Sequence, residues 1–222
     1  MWYRISFNPD PDIMGCDTQV KNLHGDAREF KEELSEVTFR QVLDYEKVLD
    51  YVELKAKAKF TDILWDYSLQ GRALFISEKT TTLLEQYKLL SAKFYPALVR
   101  KGAQIRNYYC LRLIGDISDK VNYQKSEFLW YKSDEGKDYL LTFSNVVDMV
   151  NKKKQVGPID SIRAASLYLE DSFVEQGYDM IFLGVLGVGE YWINERLKKR
   201  LESEGLVGFT FNESGFIMNG GD

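Results

Sequence analysis

YDMIFLGVLGVGEYWINERLKKRLESEGLVGFTF, Tyr178 to Phe211, carries an apolar run, a glycine-rich turn, a short apolar segment, an abrupt helix, a glycine stop and an alternating strand. Met180 to Val185 is short, apolar and rich in strand formers, as a buried strand requires. The glycines at 184, 187 and 189 tolerate the positive φ of a tight turn, and Tyr191-Trp192-Ile193 then returns as the second arm of a hairpin. Asn194 is a favoured N-cap, and Glu195 suits the positive end of the helix dipole. Leu197 and Leu201 lie one turn apart on the apolar face. Glu195/Lys199, Lys198/Glu202 and Arg200/Glu204 are opposite charges at i, i+4 on the polar face. Gly205 is the expected residue just past the helix end. Val207, Phe209 and Phe211 alternate with Gly208, Thr210 and Asn212, the period of a half-buried strand.

The glycine spacing is G-x-x-G-x-G with a strand after it. A dinucleotide fingerprint needs G-x-G-x-x-G opening a helix, and a phosphate loop needs Gly-Lys-Ser/Thr. The reading preferred here is a structural hairpin. A shorter echo lies upstream, where Ile76-Ser77-Glu78-Lys79 aligns with Ile193-Asn194-Glu195-Arg196 and Leu84-Glu85 with Leu201-Glu202. Either a decayed internal repeat or two uses of the same strand, cap and helix punctuation accounts for it.

The rest of the chain alternates strand and helix signals. Tyr3, Ile5 and Phe7 predict a first strand, ended by Pro9 and Pro11. Asp26 with Glu29 resembles a capping pair for a helix from about residue 27 to 36, with Ala27, Phe30, Leu34 and Val37 inward. Val52, Leu54, Ala56 and Ala58 alternate with polar residues through Lys59 and predict an amphipathic strand. Thr61-Asp62 is expected to cap a helical turn carrying Ile63, Leu64 and Trp65, and Gln70-Gly71 is a turn. The first strand–cap–helix unit follows, to about Leu90. Phe94 to Val99 reads as a strand that Pro96 places at an edge or bulge, and Ile105 to Ile114 as another strand. Phe128–Tyr131 and Tyr139–Phe143 flank Ser133-Asp-Glu-Gly as a hairpin. Ser144-Asn145 caps a helix through Val150, and Ile162 to Leu169 is either helix or strand. The fold class is α+β: mostly antiparallel sheet with hairpins and a few short helices, including two strand–cap–helix units. Residues 1–222 are expected to form one domain, with 1–50 as a variable N-terminal subdomain and 50–212 as the core.

Composition narrows the function classes. The 222 residues are 45% hydrophobic and 28% charged, ordinary for a globular chain. The start of the chain predicts no signal peptide, and no apolar run reaches the length of a spanning helix. Cys16 and Cys110 are too few and too far apart for a disulfide framework or a metal set, so a reduced cytoplasmic protein is expected. Net charge is −5, and residues 1–53 carry 12 acidic against 6 basic side chains, the opposite of a phosphate-binding surface. His24 is the only histidine, too little for a nucleophilic triad or a zinc site without help. The carboxylate pairs Glu170-Asp171 and Asp134-Glu135 sit in turn-like contexts, and Lys152-Lys153-Lys154 suits a helix C-terminus. Tyr108-Tyr109 and Trp130-Tyr131 read as sheet core rather than a base-stacking platform. No catalytic residue, cofactor or metal is expected.

Several segments occur in an order that resembles a known family. They are Ala73-Leu-Phe-Ile-Ser-Glu-Lys, Lys93-Phe-Tyr-Pro-Ala-Leu-Val, Asn107-Tyr-Tyr-Cys-Leu, Met180-Ile-Phe, Tyr191-Trp-Ile-Asn-Glu-Arg-Leu and Glu204-Gly-Leu-Val-Gly-Phe-Thr-Phe. Over about residues 50–212 the chain resembles the bacterial polymorphic-toxin immunity protein family eleven, formerly a domain of unknown function. Asn194 stands where that pattern leads one to expect Ser, a change that keeps the capping oxygen. The resemblance implies a cytoplasmic protein that binds and neutralises a cognate toxin domain. It brings no catalytic residue, nucleic-acid partner or membrane partner. If the toxin is basic, the acidic N-terminal region is the expected contact, with Glu29, Glu32, Glu33 and Glu36 as the partner-binding residues. Two other functions stay open: an enzyme or small-ligand domain with a carboxylate/tyrosine pocket, and a structural component of a phage or secretion particle.

Overall fold

Capping and dipole chemistry make Glu195–Ser203 a helix, and its surroundings show how the chain is built. A computed structural model describes residues 1–69, 71–184, 190–213 and 217–218. In chain order the elements are β1 (Trp2–Phe7), α1 (Pro11–Met14), β2 (Val20–Leu23), α2 (Gly25–Glu36), β3 (Leu49–Leu54), β4 (Ile63–Leu64), β5 (Leu74–Ser77), α3 (Glu78–Leu84), β6 (Ala92–Lys101) and β7 (Gln104–Leu113). A 3-10 turn at Ile117–Lys120 precedes β8 (Glu127–Lys132), β9 (Lys137–Leu141), α4 (Val146–Gln155), β10 (Ser161–Tyr168), α5 (Asp171–Val174), β11 (Met180–Leu183), β12 (Glu190–Asn194), α6 (Glu195–Ser203), β13 (Phe209–Glu213) and β14 (Ile217–Met218). The fold is α+β with mostly antiparallel sheets: a six-stranded sheet in the order β2-β3-β6-β7-β5-β4, a four-stranded sheet β11-β12-β1-β13 and a second four-stranded sheet β14-β10-β8-β9. Only β3·β6 and β10·β14 pair in parallel among the described residues.

The Tyr178–Phe211 stretch folds as its residues predict. β11 and β12 pair antiparallel, from Met180↔Ile193 to Leu183↔Glu190. The glycine turn between them lies outside the described residues at 185–189. The Asn194 side chain accepts from the Leu197 amide at 2.9 Å, and the three i, i+4 pairs close at 2.8–2.9 Å. Gly205 adopts φ +63 where the helix stops, the left-handed conformation that favours glycine.

The upstream echo is a structural repeat that runs well beyond its capped turn. Ser77 caps α3 by accepting from the Thr80 amide, as Asn194 caps α6. Ile63↔Ile76 in β4·β5 corresponds to Met180↔Ile193 in β11·β12. In the first unit β7 pairs with β5 at Tyr108↔Ser77 and with β6 at Tyr109↔Pro96. In the second, β1 takes the place of β7, pairing with β12 at Trp2↔Asn194 and with β13 at Tyr3↔Glu213. Asp62 to Asp179, Ser77 to Asn194 and Pro96 to Glu213 are all separated by the same number of residues. The first strand of the chain therefore completes the second unit. The two units share one apolar cluster, which holds Ile63, Ile76 and Leu84 of the first with Met180, Ile193 and Leu201 of the second.

Several local expectations are corrected. Helix α2 begins at Gly25 with His24 at the N-cap and no side-chain cap bond, so Asp26 lies in its first turn instead of capping it. Glycine at φ +49 makes that entry, with the Asp50 carbonyl 2.5 Å from where a Cβ would sit. The strand expected over Val52–Lys59 is instead Leu49–Leu54, because the Lys55 amide turns to the Gln19 carbonyl and the Ala58 amide to the Lys55 carbonyl. Ile63-Leu64 is a strand, not a helical turn, since β5 pairs with it and the Thr61 hydroxyl donates to the Ile63 carbonyl. Helix α4 continues past Val150 to Gln155, with its three lysines in the last turn where the helix dipole favours cations. Ser161–Tyr168 is a strand, held by β8. Helix α3 stops at Leu84, short of Leu90. Pro96 sits in the interior strand β6, just before the first register pair of β6 with β3 at Ala97, so its missing N–H falls where only β7 is alongside.

Candidate functional site

A cleft of about 430 Å³ opens where the two units meet. One wall is Arg4–Phe7 of β1, with Tyr191 of β12. The other is Ile63–Tyr67 and Ala73–Phe75 of the first unit. The walls meet through a ring stack: Phe7 and Trp65 lie 5.3 Å apart and 9° from parallel, with Tyr67 5.5 Å further along Trp65. Buried Gln19 fixes Trp65 in place. Its side-chain oxygen accepts from the Trp65 amide at 3.0 Å, and its own backbone amide donates to the Trp65 carbonyl at 3.2 Å. Tyr67 is 68% exposed at the rim, beside the ring of Trp65. Asp66 is the acidic group of the cleft. Burial pushes its carboxyl up, and the Ser68 amide and hydroxyl, donating at 2.8 and 2.7 Å, oppose that in part.

The predicted carboxylates all fall on α2, whose Ala27, Phe30 and Leu34 are buried on the opposite side. Glu29, Glu33 and Glu36 share one face by their i, i+4, i+7 spacing, and Glu32 flanks them. The structure divides them into two pairs. Glu29 accepts from Lys47 at 2.6 Å and from the Tyr45 hydroxyl at 3.3 Å, and Lys47 holds its carboxyl below the usual range. Glu32 pairs with Arg28 at 3.0 Å. Glu33 and Glu36 are exposed and carry no hydrogen bond or ion pair among the described residues. The Arg28–Glu32 pair is an i, i+4 spacing that the sequence offers, but nothing local marks Glu29 as paired, because Lys47 comes from a loop eleven positions beyond the helix end.

His24 does not approach a nucleophile. Its Nε2 lies 2.8 Å from Glu53, which Lys21 also reaches at 2.8 Å, and its ring stacks on Tyr51 at 4.6 Å. Lys21 and His24 hold the Glu53 carboxyl down at about 2. Asp134-Glu135 lies in the β8–β9 turn, where Glu135 pairs with Lys132. Tyr108 is core, with its hydroxyl donating to the Thr61 carbonyl at 2.6 Å, whereas Tyr131 is 37% exposed on the open side of its sheet. Cys16 and Cys110 are free thiols, and burial pushes that of Cys110 well up. Among the described residues no group of three or more His, Cys, Asp or Glu is arranged to hold a metal ion, and no helix is long and apolar enough to cross a membrane.

Sequence reasoning missed the cleft entirely. The residues predict a helical turn at Trp65, and nothing local ties Trp65 or Tyr67 to Phe7. Comparison with known proteins adds no relative: no protein-family model matches the chain, and no curated protein matches it.

Proposed function

We propose that this chain is a non-catalytic binding protein that neutralises a bacterial toxin domain, as the resemblance to immunity family eleven implies. The observation that carries the reading is the exposed, unpaired state of Glu33 and Glu36 on a helix that is otherwise anchored. Two like charges held unpaired in water contribute little to the fold. They steer a basic partner instead, raising its association rate in a salt-dependent way. Glu29 and Glu32 are bound to Lys47 and Arg28, so they belong to the scaffold of that face more than to its recognition surface.

The test is co-expression with the toxin domain encoded beside the gene. Rescued growth and a stable complex are expected, and the double charge reversal of Glu33 and Glu36 should slow association and flatten its salt dependence. Growth arrest in spite of co-expression, with no complex formed, would remove the reading. A small-ligand function draws on one specific observation, the cleft that brings Asp66, Tyr67 and Tyr191 together. It predicts that drug-sized fragments perturb those residues without any protein partner.

A further inference from the structure

The two units differ at one rung of their sheets, and the cleft opens there. In the first unit β5 and β7 pair at Ser77↔Tyr108, Ile76↔Tyr109, Phe75↔Cys110 and Leu74↔Leu111. In the second, β12 and β1 pair at Asn194↔Trp2, Ile193↔Tyr3 and Trp192↔Arg4, and then stop. The rung that would match Leu74↔Leu111 is Tyr191↔Ile5. It is absent, although both strands continue: β1 stays paired with β13 through Phe7, and β12 stays paired with β11 back to Glu190. Among the described residues, Ile5, Ser6 and Phe7 therefore have a strand neighbour on the β13 side alone. Ile5, Phe7 and Tyr191 line the cleft beside that edge.

A strand edge and an apolar cleft placed side by side match an occupant of one kind. An open edge presents main-chain donors and acceptors to another extended chain, and pockets beside it take alternate side chains. We propose that the cleft receives an extended peptide segment of a partner protein, which pairs with the free edge of Ile5–Phe7 and inserts one large apolar side chain between Phe7–Trp65 and Leu74–Phe75. The wall chemistry fits that side chain, since it is aromatic and aliphatic apart from Arg4, Ser6 and Asp66. A volume of about 430 Å³ lies within the range of roughly 300–1,000 Å³ typical of sites that enclose a ligand. The proposal rests on reading the chain as a protein-binding module, and it gives that module a recognition mode separate from the α2 carboxylates.

The experiment titrates the whole chain, with no toxin present, using a blocked seven-residue peptide that has one phenylalanine between valines and serines at its ends. Two control peptides replace a valine with proline or the phenylalanine with glutamate. Backbone amide and tryptophan indole resonances are followed by NMR. The expected result is progressive shifts at Ile5–Phe7 and Trp65 with the parent peptide and none with either control. Tyr67→Ala, an exposed site whose loss leaves the fold intact, should weaken binding by about tenfold. Shifts that miss Ile5–Phe7, equal binding of the proline peptide or undiminished binding by Tyr67→Ala would each overturn the proposal. Failure here leaves toxin rescue untouched, and failure of rescue leaves this titration free to succeed, so the two readings fall separately.

Discussion

Asp62 and Asp179 hold matching positions in the two units, and each accepts the chain leaving the other unit's helix. The Val207 amide donates to Asp62 Oδ2 at 2.8 Å, and the Lys88 amide donates to Asp179 Oδ2 at 2.9 Å. Each aspartate also accepts from its own unit's cap, Ser77 Oγ at 2.7 Å for Asp62 and Asn194 Nδ2 at 2.7 Å for Asp179. The two carboxylates thus lock the units together crosswise, below the helices and next to their shared core. They differ in burial: Asp179 is fully buried, while Asp62 is half-buried.

That difference sets unequal costs for removing them. Asp179→Ala should cost about 2–3 kcal/mol, because it leaves the Lys88 amide unmet and takes one acceptor from Asn194, which keeps the Tyr178 carbonyl, while Arg196 is exposed enough to be met by water. Asp62→Ala should cost about 1–2 kcal/mol, since water can reach its partners. Urea unfolding of the two variants measures the gap, and equal losses would contradict the burial argument.

Acid should weaken the same lock. Burial pushes the Asp179 carboxyl up, but Arg196, the Lys88 amide and Asn194 outweigh it and hold it below the usual carboxylate range. A carboxyl depressed on folding adds stability above its unfolded value and loses it as pH falls through its folded value. Asp179→Asn should therefore show a shallower fall in stability on acidification than the parent.

Glu53 makes a second, separable acid transition. With Lys21 and His24 beside it, its carboxyl should titrate near 2 in the folded chain, well below an unfolded glutamate. The stabilisation it brings is present above the unfolded value and disappears as pH drops towards 2. A carbon-detected titration of the Glu53 carboxyl reads the midpoint directly, and a midpoint in the ordinary glutamate range would refute the arrangement.

Charge reversal on α2 should separate recognition from stability. Glu33→Lys and Glu36→Lys break no contact, so each should leave the unfolding free energy within about 0.5 kcal/mol. Glu29→Lys places a third cation beside Lys47 and Arg28's turn of the helix, and it should cost more than either. Thermal unfolding of the three single variants ranks them.

Two glycines with left-handed backbone should respond differently to the same change. At Gly15, φ +83, an added Cβ would meet the Lys57 carbonyl oxygen at 2.1 Å, so Gly15→Ala should cost about 2 kcal/mol or more. At Gly205, φ +63, the space is open, and Gly205→Ala should cost about 1 kcal/mol from backbone conformation alone. Chemical denaturation distinguishes the two.

Local chemistry was enough to read α6 from its residues. Asn194, each of the three charge pairs and Gly205 act on partners three or four residues away, and so does Ser77 on Thr80 in α3. The hairpins β8–β9 and β11–β12 were legible for the same reason, each joining neighbours in the chain. Reading failed where a distant partner overrode local preference. Ile63-Leu64 follows a plausible cap, yet β5 recruits it as a strand. Val52 to Ala58 alternates throughout, yet Gln19 captures the backbone after Leu54. Among the acidic residues, the glutamates on α2 and the i, i+4 partner of Glu32 were plain, but the pairing of Glu29 depended on distant Lys47.

The sequence by itself determined the α+β class, the capped helices, most strands and an acidic N-terminal region, because these follow from backbone preference, side-chain period and charge count. Tertiary structure alone decided that the first strand completes the second unit, that Asp62 and Asp179 each clasp the opposite unit, and that a rung is missing between Ile5 and Tyr191. Those relations join residues more than ninety positions apart. They depend on sheet register and on burial reached only once both units have closed on a common core, and no short-range preference encodes either one.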